Sequence, residues 1–467
     1  MGLFSPMRAI GPLDITAMQS LTPSTGTVLQ MAWPLTLKAM MLHGIIVIDA
    51  YLVSGLGEQA LAAMGLAASL GGVLLGVLFA FSSATQIRLA QAFGSGRPVA
   101  LKTGFYAGII INLVMASIGL VLVLIFGDRI ITAFAHTPDI ATQAQAYLHV
   151  FLLVVLIEAV GQCLGSFFNG CGNTKTPFYS YLIALPVNVT VSVVLIHGLY
   201  GLPELGVVGA AVGTVVAAVT RTIFMGVHFY NDTCGYRDVA GWLHATLFIS
   251  LKRHLKFAAP IAGTFVSMTL ATNVCALIYA KMNINAFAAM TLIAPWVQVA
   301  GTFGIAWAQA TGITVAQLLA KDTPGDALDE FLSRAWRMAF VAAGVVSVTY
   351  LILCLASGRL YADLQDETRA ALFSFLPVLL LLPFPKGSNA ICGQSLRAGG
   401  DTLYVMHIFI VGSWLCKVPL TVLFVVYLEL PVFWVFSLFL AEELVKFPLF
   451  HLRFYSGKWK LGGKDDE

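Results

Sequence analysis

The sequence predicts an all-α polytopic membrane protein, and three observations support this fold class. Of its 467 residues, 58% are hydrophobic and 10% are charged, and the mean hydropathy is +0.86, which is unlike a soluble globular domain. Apolar runs of twenty or more residues recur along the chain, and each is long enough to cross about 30 Å of hydrocarbon as a helix. The runs are continuous and lack the apolar–polar alternation of a transmembrane β-strand, which excludes an outer-membrane barrel.

The apolar runs between polar breaks predict twelve transmembrane helices. They cover residues 27–50, 60–92, 103–126, 141–170, 177–200, 205–229, 252–281, 286–319, 332–357, 368–398, 402–428 and 432–455. The break at 231–254 predicts a cytoplasmic amphipathic connector between an amino-terminal lobe, 1–230, and a carboxy-terminal lobe, 255–467. Lysine and arginine concentrate in the loops on one side, which places both termini in the cytoplasm.

An internal repeat predicts how the two lobes are related. The segment beginning at Ala60 aligns with the segment beginning at Ala286, an offset of 226 residues, and the same offset aligns Pro34 with Pro260. Further along, an offset of 228 aligns "GCGNT" with "AGGDT". Six helices per repeat keep both copies in the same orientation, so we expect two six-helix lobes related by a pseudo-two-fold axis along the membrane normal. This arrangement is typical of alternating-access carriers.

Several short segments resemble the multidrug and toxic compound extrusion (MATE) transporters, in an order that covers nearly the whole chain. They are "IDAYLVSGLGEQALAAMGLA", "FGSGRP", "GNTKTP" and "GLPELGVVGAAVGT". The last quarter, with "LRAGGDT", "EELVKF" and "RFYSGKW", is similar to one bacterial branch. The resemblance implies an H⁺- or Na⁺-driven antiporter of the bacterial inner membrane that exports amphiphilic, often cationic, small molecules. We expect a monomer in the lipid bilayer, with no enzymatic activity, cofactor, metal or nucleic-acid partner.

The resemblance also implies an ion-coupling site in the amino-terminal lobe. Asp49 and Asn188 occupy the positions of a family aspartate and asparagine that take part in ion coupling. Three positions depart from acids found in some members, because this chain has Ser192, Met268 and Lys386 there. These departures weaken the case for an ion site in the carboxy-terminal lobe.

Charged residues inside apolar helices are costly and usually mark a functional site. Lys386 lies about 16 Å along its helix from the cytoplasmic end, near mid-membrane. The offset of 228 residues aligns it with Glu158, so an acid and a base occupy equivalent positions of the two repeats. We predict that Glu158, Lys386 and Asn389 line the substrate cavity and that the two ions meet in one conformation. The alternative is that each ion has a separate local partner.

Lys38, Glu442 and Glu443 are further candidates for the site. The spacing of Glu442 and Glu443 from Lys446 also permits ion pairs within one helix. A lipid-linked saccharide flippase is the alternative function, and it would require a strongly basic cavity. A membrane enzyme is disfavoured because it would need convergent His, Asp or Glu in several helices, and His43 and His149 look unpaired. An ATP-driven pump is disfavoured because the chain lacks a P-loop.

Overall fold

The computed structural model describes residues 24–232, 246–360 and 366–460, and within these ranges it contains helices and no strand. Ten of the helices are long and apolar enough to span a membrane, or eleven when one bent pair counts as a single span. Their outward surfaces carry many exposed leucine, isoleucine, valine and phenylalanine side chains, as lipid-facing helices do. The predicted all-α membrane fold is confirmed.

The chain falls into two compact units, described separately below. The amino-terminal unit includes Leu37–Ala258, and the carboxy-terminal unit includes Pro23–Thr36 and Ala259–Glu467. The first turns of the first helix therefore group with the carboxy-terminal unit, which the division at 231–254 did not anticipate. The predicted connector lies partly outside the described residues, at 233–245, whereas 246–254 form the start of a long helix.

Seven α-helices cover most of the described residues up to Tyr279. They are α1 (Thr25–Ser54), α2 (Glu58–Gly94), α3 (Pro98–Phe134), α4 (Pro138–Gly170), α5 (Lys175–His197), α6 (Val207–Asp232) and α7 (Thr246–Tyr279). Proline begins α3 and α4, where its missing N–H has no intrahelical acceptor to lose. Gly57, with φ 106°, makes the turn between α1 and α2.

The second half continues with shorter and less regular helices. They are α8 (Ile284–Ala320), α9 (Gly325–Leu360), α10 (Asp366–Ser374), α11 (Leu376–Leu381), α12 (Pro383–Ala398), α13 (Thr402–Ile410), α14 (Val418–Val422) and α15 (Val432–Tyr455). The predicted helix 368–398 is thus broken, with a bend of 44° between Asp366–Leu381 and Pro383–Ala398. Pro383 cannot donate the backbone hydrogen bond that would continue the helix, which accounts for the bend.

Two π-helical segments, Val411–Lys417 and Leu423–Tyr427, flank α14 within a single predicted span. A π-helix adds a residue to the turn and changes which side chains share a face. The last predicted span is present as α15, but its charged residues exclude it from the ten apolar helices. Both irregularities lie where the carboxy-terminal unit buries its charges.

Candidate functional site: two buried polar clusters

The predicted pair Asp49 and Asn188 lies together in the amino-terminal unit, joined by a third residue. Asp49 on α1 is 6% exposed, and its Oδ2 accepts a hydrogen bond from Thr214 Oγ1 on α6 at 3.2 Å. Asn188 Nδ2 on α5 donates to the same Thr214 oxygen at 3.4 Å. Thr214 Oγ1 also lies 3.1 Å from the Ala210 carbonyl oxygen, so Asp49 and the backbone share its single hydroxyl proton.

Three oxygens of this cluster have no hydrogen-bond donor among the described residues. They are Asp49 Oδ1, Asn188 Oδ1 and Ser192 Oγ, and all three are buried. Asn188 and Ser192 are one turn apart on the same face of α5. Buried oxygens without donors are costly, so the cluster can accept a proton or a small cation.

A glycine holds α5 and α6 close enough to form this cluster. A Cβ atom on Gly213 would lie 2.1 Å from Ser192 Oγ and 3.1 Å from the Asn188 carbonyl oxygen. A Cβ on Gly209, one turn earlier, would lie 2.7 Å from the backbone nitrogen of Ile196. This close approach of α5 and α6 at the glycines positions Thr214 against Asn188.

Glu158 on α4 has a partner that the sequence analysis missed. It forms an ion pair with Arg221 on α6, and both residues are buried, at 6% and 7% exposed. The Arg221 guanidinium also lies 4.2 Å from the centre of the Tyr181 ring. Arg221 is eleven residues before the end of α6, and Lys386 is the same number of residues from the cytoplasmic end of its helix. The depth argument that placed Lys386 inside the membrane therefore also applies to Arg221. Lys38, half-buried on α1, lies within electrostatic range of Arg221.

In the carboxy-terminal unit, α15 carries the two predicted acids into a network of buried charges. Lys446 Nζ lies 3.3 Å from Glu442 Oε1 and 2.7 Å from Glu443 Oε1, so the predicted pairs within one helix are confirmed. Lys417 Nζ reaches the second Glu442 oxygen at 3.1 Å. Ser413 Oγ donates to Glu442 Oε1 at 3.3 Å. Opposite charges at these distances lower the cost of burying each other.

The π-helical segment Val411–Lys417 brings two of these groups to Glu442. It carries Ser413 and Lys417, and both side chains contact that one carboxylate. Gly412, directly before Ser413, leaves space for the neighbouring helix, because a Cβ there would lie 2.9 Å from Lys446 Cγ. No propensity signal in the sequence distinguishes a π-helix from an α-helix, so the contact of Lys417 with Glu442 was not predicted.

Lys386 lies at the start of α12, just after the 44° bend, and is half-buried. Its Nζ is 4.0 Å from the position that a Cβ would occupy on Gly301 of α8. Asn389, three residues on, donates from Nδ2 to the Glu443 carbonyl and to Glu443 Oε2, each at 2.8 Å. Lys386 and Glu158 belong to different units, and their predicted contact stays a prediction.

These observations define a class of protein: a polytopic membrane transporter built from two related halves, each with buried polar groups in its helices. The MatE family model matches residues 34–194 and 260–423, so this chain belongs to the MatE family. The two matches begin at Pro34 and Pro260, which confirms the internal repeat and its offset of 226 residues.

Known relatives are transporters of similar length. A probable multidrug resistance protein NorM from Bradyrhizobium diazoefficiens is 27% identical over 408 residues, covering 84% of each chain. An uncharacterized transporter, YisQ, from Bacillus subtilis is 23% identical over 455 residues, covering 95% of this chain and 97% of its own. The crystal structure of the eukaryotic MATE transporter AtDTX14 matches the fold with a TM-score of 0.82 at 17% identity, covering 95% of this chain and 98% of that one.

Proposed function

We propose that this chain is a secondary-active antiporter that exports amphiphilic small molecules, organic cations among them, in exchange for H⁺ or Na⁺. It acts as a monomer in the bacterial inner membrane, with both termini in the cytoplasm. Multidrug resistance proteins among its relatives support the export of small molecules. Coupling to an ion is our own inference from the amino-terminal cluster.

The observation that carries this proposal is the under-satisfied carboxylate of Asp49. Its Oδ1 has no donor within the described ranges, its Oδ2 shares a hydroxyl, and no ion pair involves it there. A buried carboxylate in such surroundings favours neutralisation by a proton or a cation. Asn188 and Ser192 add neutral oxygens beside it, which suits either H⁺ or the oxygen ligands of Na⁺.

Occupancy of this cluster links ion entry to the packing of three helices. Asp49, Asn188 and Thr214 come from α1, α5 and α6, so the same bound ion touches all three elements. An ion shifts a conformational equilibrium only by its differential affinity for the two states. We infer that neutral Asp49 stabilises one arrangement of these helices and charged Asp49 the other.

The alternative, a lipid-linked saccharide flippase, finds less support. Such a protein needs several basic groups free to hold a pyrophosphate. Lys417 and Lys446 are instead paired with carboxylates. Lys386, the lysine of this buried group that has no ion pair among the described residues, is by itself a weak site for a group with that much negative charge.

The test is export of a fluorescent organic cation by purified protein in proteoliposomes, under an imposed pH gradient and then a sodium gradient. We expect one gradient to drive export in the wild type, and Asp49→Asn to bring gradient-driven export down to the level of empty liposomes. The control is Asp128→Asn, which alters an exposed carboxylate of the same unit. Wild-type coupling in Asp49→Asn would refute the role of Asp49, and a wild type that responds to neither gradient would refute the antiporter.

A further inference from the structure

The buried charges of the carboxy-terminal unit do not balance. The cluster contains three cations, Lys386, Lys417 and Lys446, and two anions, Glu442 and Glu443. The other four residues all act electrostatically on Lys386, so the five ions form a single group with a net charge of +1. An uncompensated charge in a membrane span is costly, which makes it a candidate for binding an opposite charge.

Each carboxylate oxygen in the group already receives at least one other donor. Glu442 Oε1 receives Lys446 and Ser413, and Glu442 Oε2 receives Lys417. Glu443 Oε1 receives Lys446, and Glu443 Oε2 receives the Asn389 amide. Within the described part of the chain, Lys386 has neither an ion pair nor a hydrogen bond from its side chain. It is therefore the cation of this group that is available to a ligand.

A glycine and a second polar atom lie beside this lysine. A Cβ atom on Gly301 of α8 would lie 4.0 Å from Lys386 Nζ. Because the residue is a glycine, it places no side chain beside the lysine. Asn389 is 4% exposed, and its Oδ1 has no donor in the ranges that the structure describes. Lys386 and Asn389 are three residues apart on α12, which places a cation and a hydrogen-bond acceptor on one face.

A ligand that matches both groups carries an acid and a hydrogen-bond donor. A carboxylate would accept from Lys386 Nζ, and an N–H or O–H group near it would donate to Asn389 Oδ1. Binding would neutralise the extra positive charge and satisfy the buried acceptor in one step. An organic cation without an acid group would gain neither contact.

We propose that Lys386 and Asn389 form a subsite for the carboxylate end of exported molecules, so that the chain takes acidic or zwitterionic amphiphiles. This proposal rests on the proposed export function and adds the chemical class of the group bound in the carboxy-terminal unit. It predicts selectivity by the acid group and leaves ion coupling at Asp49 unchanged.

The test uses two probes that differ in one group. Dansylglycine has a carboxylate and a sulfonamide N–H, whereas dansylglycinamide replaces the carboxylate with a neutral amide. Binding to the full chain is measured by dansyl fluorescence in phosphatidylcholine nanodiscs, which contain no anionic lipid to compete for the lysine. We expect the wild type to bind the acid about 10- to 100-fold more tightly than the amide, the range for a hydrogen bond to a charged group.

Three variants locate the preference. Lys386→Met should bind the two probes equally, and Lys386→Arg should keep most of the preference because it keeps the charge. Lys281→Met, which removes an exposed lysine of the same unit, should bind as the wild type does. Size-exclusion profiles and thermal unfolding of each variant show whether it is folded.

The proposal is overturned if the wild type binds dansylglycine and dansylglycinamide with equal affinity. This comparison uses the wild-type protein alone. A folded Lys386→Met protein that still prefers the acid would overturn it as well. Gradient-driven export of the organic cation is measured separately, with the same purified proteins reconstituted in proteoliposomes. Its absence would refute the proposed antiporter, whereas the acid preference is measured without any gradient and decides the subsite separately.

Discussion

Breaking the ion pair between Glu158 and Arg221 should be among the most destabilising single changes in the amino-terminal unit. In Arg221→Met the Glu158 carboxylate stays buried without its cation, and the guanidinium contact with the Tyr181 ring is also lost. Removing one partner of a buried pair costs about 3–5 kcal/mol. The double variant Glu158→Leu with Arg221→Met removes both charges and fills the site with apolar side chains of similar size. Its Tm should therefore be close to that of the wild type.

Thermal unfolding in detergent, followed with a thiol-reactive fluorophore, measures this effect. Cys163 and Cys171 are buried in the same unit and react once it opens. A background in which these are the remaining cysteines makes the signal specific to that unit. At about 2–4 °C per kcal/mol for a unit of this size, Arg221→Met should lower the Tm by roughly 6–20 °C.

An exposed pair in the same chain provides the control. Arg334 and Glu330 lie 3.2 Å apart, with side chains 46% and 70% exposed, and such pairs contribute about 0–1 kcal/mol. Arg334→Met should therefore change the Tm of the full chain, followed by tryptophan fluorescence, by little. An Arg221→Met protein that melts within about 1 °C of the wild type would refute the reasoning, because the unpaired Glu158 carboxylate would then be buried without a desolvation cost. A double variant as unstable as the single one would refute it too.

Two glycines make further predictions. Unfolding is followed with the thiol-reactive fluorophore for Gly213→Ala and with tryptophan fluorescence of the full chain for Gly412→Ala. Gly226→Ala is the control for both, because a Cβ at Gly226 meets nothing within 4 Å. Gly213→Ala should lower the Tm and weaken ion coupling together, since its Cβ would lie 2.1 Å from Ser192 Oγ; unchanged coupling would contradict the position assigned to that oxygen. Gly412→Ala should lower the free energy of unfolding by about 1–3 kcal/mol, because its Cβ would lie 2.9 Å from Lys446 Cγ and ion pairs hold that side chain in place. An unaltered Tm in this variant would show that the Lys446 side chain can move without cost.

Some of the candidate site could be predicted from the sequence because it depends on local rules. Prolines cannot continue a helical hydrogen-bond ladder, so the bend before Lys386 followed from Pro383 and Pro385. Ion pairs at i, i+3 and i, i+4 follow from helix geometry, so the contacts of Lys446 on α15 were predicted as well. Both predictions needed only residues close together in the chain.

Other contacts depended on tertiary structure. Arg221 was the partner of Glu158 because α4 and α6 present those faces to each other, and no periodicity within either helix contains that information. Lys417 reached Glu442 because a π-helical segment turned it toward α15. Repeat alignment gives equivalent positions but does not fix which neighbour a charged side chain finds within its own unit.

The sequence by itself determined that the chain is a membrane protein made of two related halves, since hydrophobic length, repeat spacing and proline positions are properties of the chain alone. Only the tertiary structure decided which buried charges cancel and which one is left over. The reason is that neutralisation depends on distances of about 3 Å between atoms on different helices. Those distances are set by close packing at glycines such as Gly213 and Gly412 and by local changes of helical register.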